Sequence, residues 1–539
     1  MEGNYMMNII YIFLLLFSIS LYAQNENCFL YDFEPKNAIV PIFIEQDKIS
    51  SSPTAAVTTD DADTLGKISK YILGNAIAVW VGNKINNPTF LGYVDKLSLP
   101  LIRYPGGSWS NYFFWNGIPK DLPKAGIYIA SDSSYKTPQS GTGSWPTTKD
   151  NYYSMKSNLD TEGLITINYA YARYGTSNDP VSQAAHCAAD WVRYDAGRTK
   201  FWEIGNENAG PWEAGWEIDT TLNQDGQPAV ITGQLYGKHF KVFADSMRTA
   251  AAEINEEIYI GGQILHYDGT NSWNITDRQW NQGFFSEVGD EVDFYVIHNY
   301  FGSQINARHL LDVASTAPAE MMTFIQKDIS DKSASPKPIA LTEWNIQGWK
   351  EYELAKCSII NGMQAVILFC ELIKHNYGMS SRWLLANWNA DGMLYRGDDP
   401  DIPEWCPRPT YYYVYFLPKF LGDHALGTTS DNNDIVAYAS AFNSGELGVI
   451  IINKGTADQI VKINIRNKTI GAKYYVYTLT GGDDNGDFSQ YVYINNEKPS
   501  ENHFGPIEKL ENIPSWAYSI ENDIIISTPG RSVSMVMIE

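Results

Sequence analysis

The chain has 539 residues, too many for one ordinary domain and enough for a large core with a satellite. Hydrophobic residues make up 44%, aromatics 14% and charged residues only 19%, a globular composition that excludes a mostly disordered or fibrous chain. Lys+Arg 39 against Asp+Glu 62 leaves a formal charge of −23, which repels phosphate backbones and anionic lipid and excludes nucleic acid and membrane surfaces as natural partners.

Residues 9–21 read IIYIFLLLFSISL and then meet Tyr22-Ala23-Gln24. That run is short of a membrane span and has the form of a secretory leader with a small residue at its cleavage site. Residues 1–23 are expected to be a signal peptide. Export to the exterior, the periplasm or the cell surface follows, with no membrane integration after cleavage. The five cysteines (Cys28, Cys187, Cys357, Cys370 and Cys406) include no close pair, so neither a zinc site nor a disulfide framework is expected. Cys357 and Cys370 read as members of one helix, about 20 Å apart and unable to bridge.

Residues 24–66 form an N-terminal extension rich in Pro, Ser and Thr, positioned to lend a strand to a later sheet. From 67 to 418 a unit recurs: short apolar strand, loop, amphipathic stretch. The strands are YILGNAIAVW (71–80), LIRYP (101–105), LITINYA (164–170), KFWEIGNE (200–207), IYIGGQI (258–264), DFYVIHNY (293–300), PIALTEWN (338–345) and RWLLANW (382–388). Helical patterns at 181–194, 236–254 and 356–375 lie between them. Eight such units fit an α/β fold of the (β/α)8 TIM-barrel type better than a doubly wound sheet, since no G-x-G-x-x-G follows the first strand. Residues 117–156 form a long loop after strand two. From 419 to 539 short alternating runs separated by Gly, Asn and Asp predict a C-terminal all-β sandwich domain.

Two glutamates end barrel strands, Glu207 on strand four and Glu343 on strand seven. Singly, each could cap a helix or pair with an arginine. Together at the mouth they are the equipment for cleaving a glycosidic bond, one protonating the departing oxygen and the other attacking. The sixteen tryptophans suit either a core or the faces of sugars. Trp109, Trp115, Trp145, Trp212, Trp216, Trp344 and Trp349 fall on predicted mouth loops. The glycines of YPGGS (104–108) read as a tight turn rather than a phosphate nest. His266 and His298 are too far apart and unaccompanied to argue for a metal, and no cofactor is implied.

KFWEIGNEN followed by IALTEWN resembles the retaining glycoside hydrolases of clan A. Within the clan, ISKYILGN (68–75), LIRYPGGSWSNYFFW (101–115) and the closing SVSMVMI look like the family 51 α-L-arabinofuranosidases and their heparanase-like and β-xylosidase-like relatives. The resemblance implies that Glu207 is the acid/base and Glu343 the nucleophile. It implies that Asn206 bonds a sugar hydroxyl, that Arg103 lies beneath the nucleophile and holds it ionised, and that His298 and Tyr300 orient the carboxylates. Trp388, at the end of strand eight, would be the floor on which the sugar stacks. The expected function is a retaining glycosidase on a neutral plant or algal polysaccharide or oligosaccharide, arabinofuranosidase-like and exo-acting. An endo-acting β-glycanase, agarase-like or xylanase-like, is the alternative. A non-catalytic carbohydrate-binding protein is the third, against which the two carboxylates argue.

Overall fold

The computed structural model describes residues 27–397 and 399–539; the expected signal peptide lies outside the described residues. Eight parallel strands close into a barrel in chain order. They are β1 (Gly74–Ala76), β2 (Leu101–Tyr104), β3 (Glu162–Ile167), β4 (Phe201–Ile204), β5 (Tyr259–Gln263), β6 (Phe294–Phe301), β7 (Ile339–Ile346) and β8 (Met379–Arg382). The TIM barrel is therefore the fold, and every expected strand overlaps a real one. The eighth overlaps least. β8 meets β1 at only two pairs, Ser381 with Gly74 and Arg382 with Asn75. The run 382–388 thus leaves the barrel after its first residue, although its apolar texture continues. Trp383, not Trp388, follows the end of strand eight.

Helices wrap the barrel where a cap and an apolar stripe coincide. Helix Pro180–Asp195 starts on Asp179, whose side chain accepts from Ser182 N, and buries Ala184, Ala185, Ala188, Ala189, Trp191 and Val192. The stretch 356–375 is not one helix. It breaks at Cys357 and restarts after Ser358, which caps Ile359–Lys374, so Cys357 and Cys370 do not share a helix. All five cysteines are free. The loop expected over 117–156 holds one short strand pair, Ile127–Ile129 with Ser134–Lys136, and a two-residue strand that pairs back to Phe113–Phe114, then gives way to helix Lys149–Leu159, opened by a Thr148–Asn151 capping box. No single helix among the described residues is long and apolar enough to cross a membrane.

The chain before β1 closes the other end of the barrel. Cys28 and Phe29 sit in a buried cluster with Leu101, Leu164, Phe201, Phe294 and Met379, residues from the entry ends of the strands. Phe29 meets the rings of Phe201 at 5.3 Å and Phe294 at 5.1 Å. That floor fixes the opposite end as the mouth.

The C-terminal strands form an eleven-stranded sheet curled over a core of its own. The N-terminal extension joins it. Strand Ala55–Lys67 runs antiparallel to His424–Ser430 on one side and parallel to Gln459–Arg466 on the other, and Phe43–Glu45 adds to Ser515–Ser519. The strand Leu447–Asn453 explains the unbroken apolar run ELGVIII. Leu447, Val449 and Ile451 face the sheet's own core, whereas Ile450 and Ile452 join the barrel's core. Helix Pro409–Phe420 forms the seam, with Phe416 4.6 Å from the ring of Tyr477, and it carries Pro418 inside it. The change of texture after Pro418 therefore falls within a helix, and the sheet begins at His424.

Candidate active site

β4 ends at Ile204, and the chain then turns sharply through Gly205-Asn206-Glu207. Gly205 has φ +78° and Glu207 φ +44°. A Cβ at Gly205 would meet the Asn208 side chain at 2.3 Å, so only glycine fits. Left-handed backbone at Glu207 costs about 1 kcal/mol or more, and such strain gathers where side-chain aim matters. The turn lifts Glu207 into the mouth, with 19% of its side chain exposed.

β7 reaches the same place by a bulge. Ile297 and His298 of β6 pair with Leu341 and Glu343, and Leu341 and Trp344 pair with Ser380 and Arg382, so Thr342 is an extra residue on both sides. A bulge re-aims neighbouring side chains. Here His298 Nε2 lies 3.0 Å from Thr342 Oγ1, while its Nδ1 lies 3.0 Å from Glu207 Oε1. Tyr300 OH donates to Glu343 Oε1 at 2.7 Å, and Arg103 Nη1 donates to Glu343 Oε2 at 2.7 Å. Trp212 Nε1 donates to Glu207 Oε2 at 2.5 Å. Glu207, His298 and Glu343 each offer a ligand atom, and these atoms lie within 4.8 Å of one another, a set that could hold a metal ion.

Arg103, on β2 and wholly buried, is the hub. Besides Glu343 it donates through Nε to Glu203 and through Nη2 to Asn206 Oδ1 at 2.7 Å. Asn206 Nδ2 donates to Glu213 Oε1 at 3.0 Å, and Glu213 also accepts from Ser108 Oγ and Asn111 Nδ2, each at 2.7 Å. Asn206, expected to face a sugar hydroxyl, is thus tied at both ends of its amide.

Four carboxyl groups share this network with one permanent cation, and burial and neighbouring groups shift Glu207, Glu213 and Glu343 in different directions. Burial, reinforced by the charge on Glu207, holds Glu213 well above the usual carboxylate range. Burial raises Glu207 too, but its hydrogen bond to His298, the imidazolium charge and Trp212 outweigh it, and the net shift is downward. At Glu343 burial wins over the pull of His298 and Arg103, and the shift is upward. Arg103 and Tyr300 oppose that rise through their hydrogen bonds to Glu343, and Arg103 is shared with Glu203.

The structure brings Arg103, Asn206, Glu207, His298, Tyr300 and Glu343 together as expected. Trp388 lies six residues beyond the end of strand eight, 42% exposed, with the Arg396 guanidinium 5.0 Å from its ring. At the strand-end position the indole of Trp383 packs on Gly106 and Gly107, where a Cβ at Gly107 would come within 2.7 Å of the ring. Both glycines have positive φ, +80° and +59°, the tight turn read in YPGGS. Among the expected mouth tryptophans, Trp344 and Trp115 are core residues, packed on Phe369 and Trp191. Trp145, Trp212 and Trp349 are exposed. Sequence reasoning missed Glu203 and Glu213. A charge inside the apolar strand FWEI was the available signal for Glu203; Glu213 sits in a loop without periodicity and gave none.

The sequence and the fold find relatives among glycosidases. No protein-family model matches the chain. A probable α-L-arabinofuranosidase C of Aspergillus fumigatus is 25% identical over 341 residues, 56% of this chain and 61% of that protein. The chain spans about three-fifths of the length of the curated relatives it matches. Among solved structures, the GH51 α-L-arabinofuranosidase of Thermotoga petrophila RKU-1 superposes with TM-score 0.65 at 18% identity, over 90% of this chain and all of that one. CelM2, a bifunctional glucanase-xylanase from a metagenome library, superposes at 0.59 and 15% identity, over 90% and 99%. The chain is homologous and structurally similar to the family 51 α-L-arabinofuranosidases and related clan A glycosidases.

Proposed function

We propose that the protein is a retaining glycoside hydrolase related to the α-L-arabinofuranosidases, acting on a neutral plant or algal polysaccharide. One observation carries the reading: two carboxylates approach within 4.8 Å at a barrel mouth, each held by a different set of donors. A separation near 5 Å suits direct attack and a covalent glycosyl-enzyme, whereas inversion needs about 6.5–9.5 Å to admit a water. Glu343, fixed by Arg103 and Tyr300, is the nucleophile. Glu207, more exposed and bonded to His298, is the acid/base.

The division of protons follows from the same contacts. Glu207 must begin protonated to give its proton to the leaving oxygen, and His298 Nδ1 and Trp212 Nε1 fix the carboxyl for that transfer. Glu343 must be ionised to attack, and its two hydrogen bonds stabilise that form. In the second step Glu207 takes a proton from water, which releases the sugar with its configuration kept.

A panel of nitrophenyl glycosides, arabinan, xylan and β-glucan tests the reading, with product configuration followed by NMR. Hydrolysis with retention that is lost in Glu343→Ala supports it. Inverted product, or full activity in Glu343→Ala, overturns it.

A further inference from the structure

A row of indoles leads away from the reaction centre on the side opposite the acid/base. Trp383, after β8, is 8% exposed and sits 5.7 Å from Trp80, after β1. Trp80 lies 5.4 Å from Trp109, and Trp109 lies 5.9 Å from Trp145, both in the loop after β2. Exposure rises along the row: Trp80 and Trp109 are half-buried, and Trp145 is 50% exposed. The row is braced. Asn83 N donates to Trp145 O, Thr147 N to Val79 O, and Thr147 Oγ1 to Gly82 O, which strap the Trp145 segment to the Trp80 turn.

The polarity of a bound chain follows from the barrel. Glu207 stands on the β4 side and gives its proton to the departing oxygen, so the leaving group lies towards β4, beside Trp212. The sugar under attack rests towards Trp383. The β8–β1–β2 sector beyond it is the side away from the leaving group. A cleaver of single terminal units needs a closed wall there. Here a row of indoles, each tilted against the next, reaches solvent at Trp145, and no cationic side chain belongs to it.

Resting on the glycosidase reading, we propose that the Trp383–Trp80–Trp109–Trp145 row binds several consecutive sugars of a neutral polysaccharide on the glycone side. The enzyme then cuts bonds within the chain rather than removing one terminal unit. Trp383 anchors the row, Trp80 and Trp109 keep part of their surface open to a sugar's C–H face, and the outermost, Trp145, holds the sugar farthest from the cut.

The test uses digests of arabinan, xylan and β-glucan by the full chain, with Glu343→Ala as the blank. On the polymer it cleaves, the protein should release a ladder of oligosaccharides. Trp145→Ala should raise KM for that polymer about tenfold, the loss of one ring contact, and Trp145→Phe should recover part of it. Monosaccharide as the sole product, or polymer KM untouched in Trp145→Ala, overturns the proposal and leaves the glycosidase reading standing. Absence of any Glu343-dependent hydrolysis on the polymers and on nitrophenyl glycosides overturns both.

Discussion

Tyr300 and Arg103 hold opposite oxygens of Glu343, each at 2.7 Å, so neither carboxylate oxygen is free to rotate. The tyrosine comes from β6 and the arginine from β2, on opposite sides of the barrel, and the Glu343 carboxylate is clamped between them. A clamp of this kind aligns the attacking oxygen before substrate arrives. It also ties the reactivity of Glu343 to a phenol that can be removed without touching the charge.

Tyr300→Phe should therefore lower kcat about ten- to hundredfold, the cost of losing one hydrogen bond to a carboxylate. The acid limb of kcat/KM belongs to Glu343, which must be ionised and whose pKa already lies above its usual value. Removing Tyr300 takes away a contact that favours the ionised form, so the limb should move to higher pH. A pH–rate profile of the two proteins checks the direction; a shift to lower pH would assign the limb elsewhere.

Glu207→Ala should separate substrates by leaving group. Natural glycosides should lose about 10²–10⁴-fold in rate, and aryl glycosides with good leaving groups far less in the first step. Without its base the variant should accumulate glycosyl-enzyme, visible by mass spectrometry of the intact protein. Azide should restore turnover and give a glycosyl azide of retained configuration.

Stability should fall in mild acid because of His239. It is 7% exposed beside Tyr169, and burial with the charge of Arg173 lowers its pKa from 6.5 to about 4. The unfolded chain binds this proton below about pH 6.5 and the folded protein does not until about pH 4. The stabilisation is thus complete above 6.5 and is lost as pH falls through that window, by about 3 kcal/mol at most. Tm measured from pH 7.5 to 4.5 should drop less steeply in His239→Gln than in the unaltered protein.

Ending the chain at residue 422 should give insoluble protein. Phe416 and Phe420 would lose Tyr477, and the barrel would lose the faces of Ile450, Ile452, Met535 and Met537. Each large side chain so uncovered forfeits about 1.5–3 kcal/mol of burial. Fractionation of expressed truncated and full-length chains checks this; a soluble and active barrel would make the sheet an independent appendage.

The barrel was legible because each strand is an apolar run between turn residues, and the carboxylates because Asn206-Glu207 and Glu343 sit where such runs end. What stayed hidden depends on pairing between distant segments. Trp388 reads as the end of strand eight because RWLLANW stays apolar after the partner strand has run out: β1 supplies only Gly74 and Asn75 to pair with β8. The hub was hidden for a similar reason. That Arg103 would be divided between Glu203 and Glu343 depends on a residue 100 positions away turning into the same barrel interior.

The strand Ala55–Lys67 lies between His424–Ser430 and Gln459–Arg466 in the finished sheet. Those partners are made about 360 to 410 residues later, so the ribosome delivers this strand long before either can pair with it. The edges it leaves open in the interval are sticky, and closing so long a loop is slow. The C-terminal sheet cannot be completed from its own sequence. A late-folding chain of this kind depends on whatever shields residues 55–67 until the last strand emerges, and its yield should respond to chaperone supply more than to the stability of the finished fold.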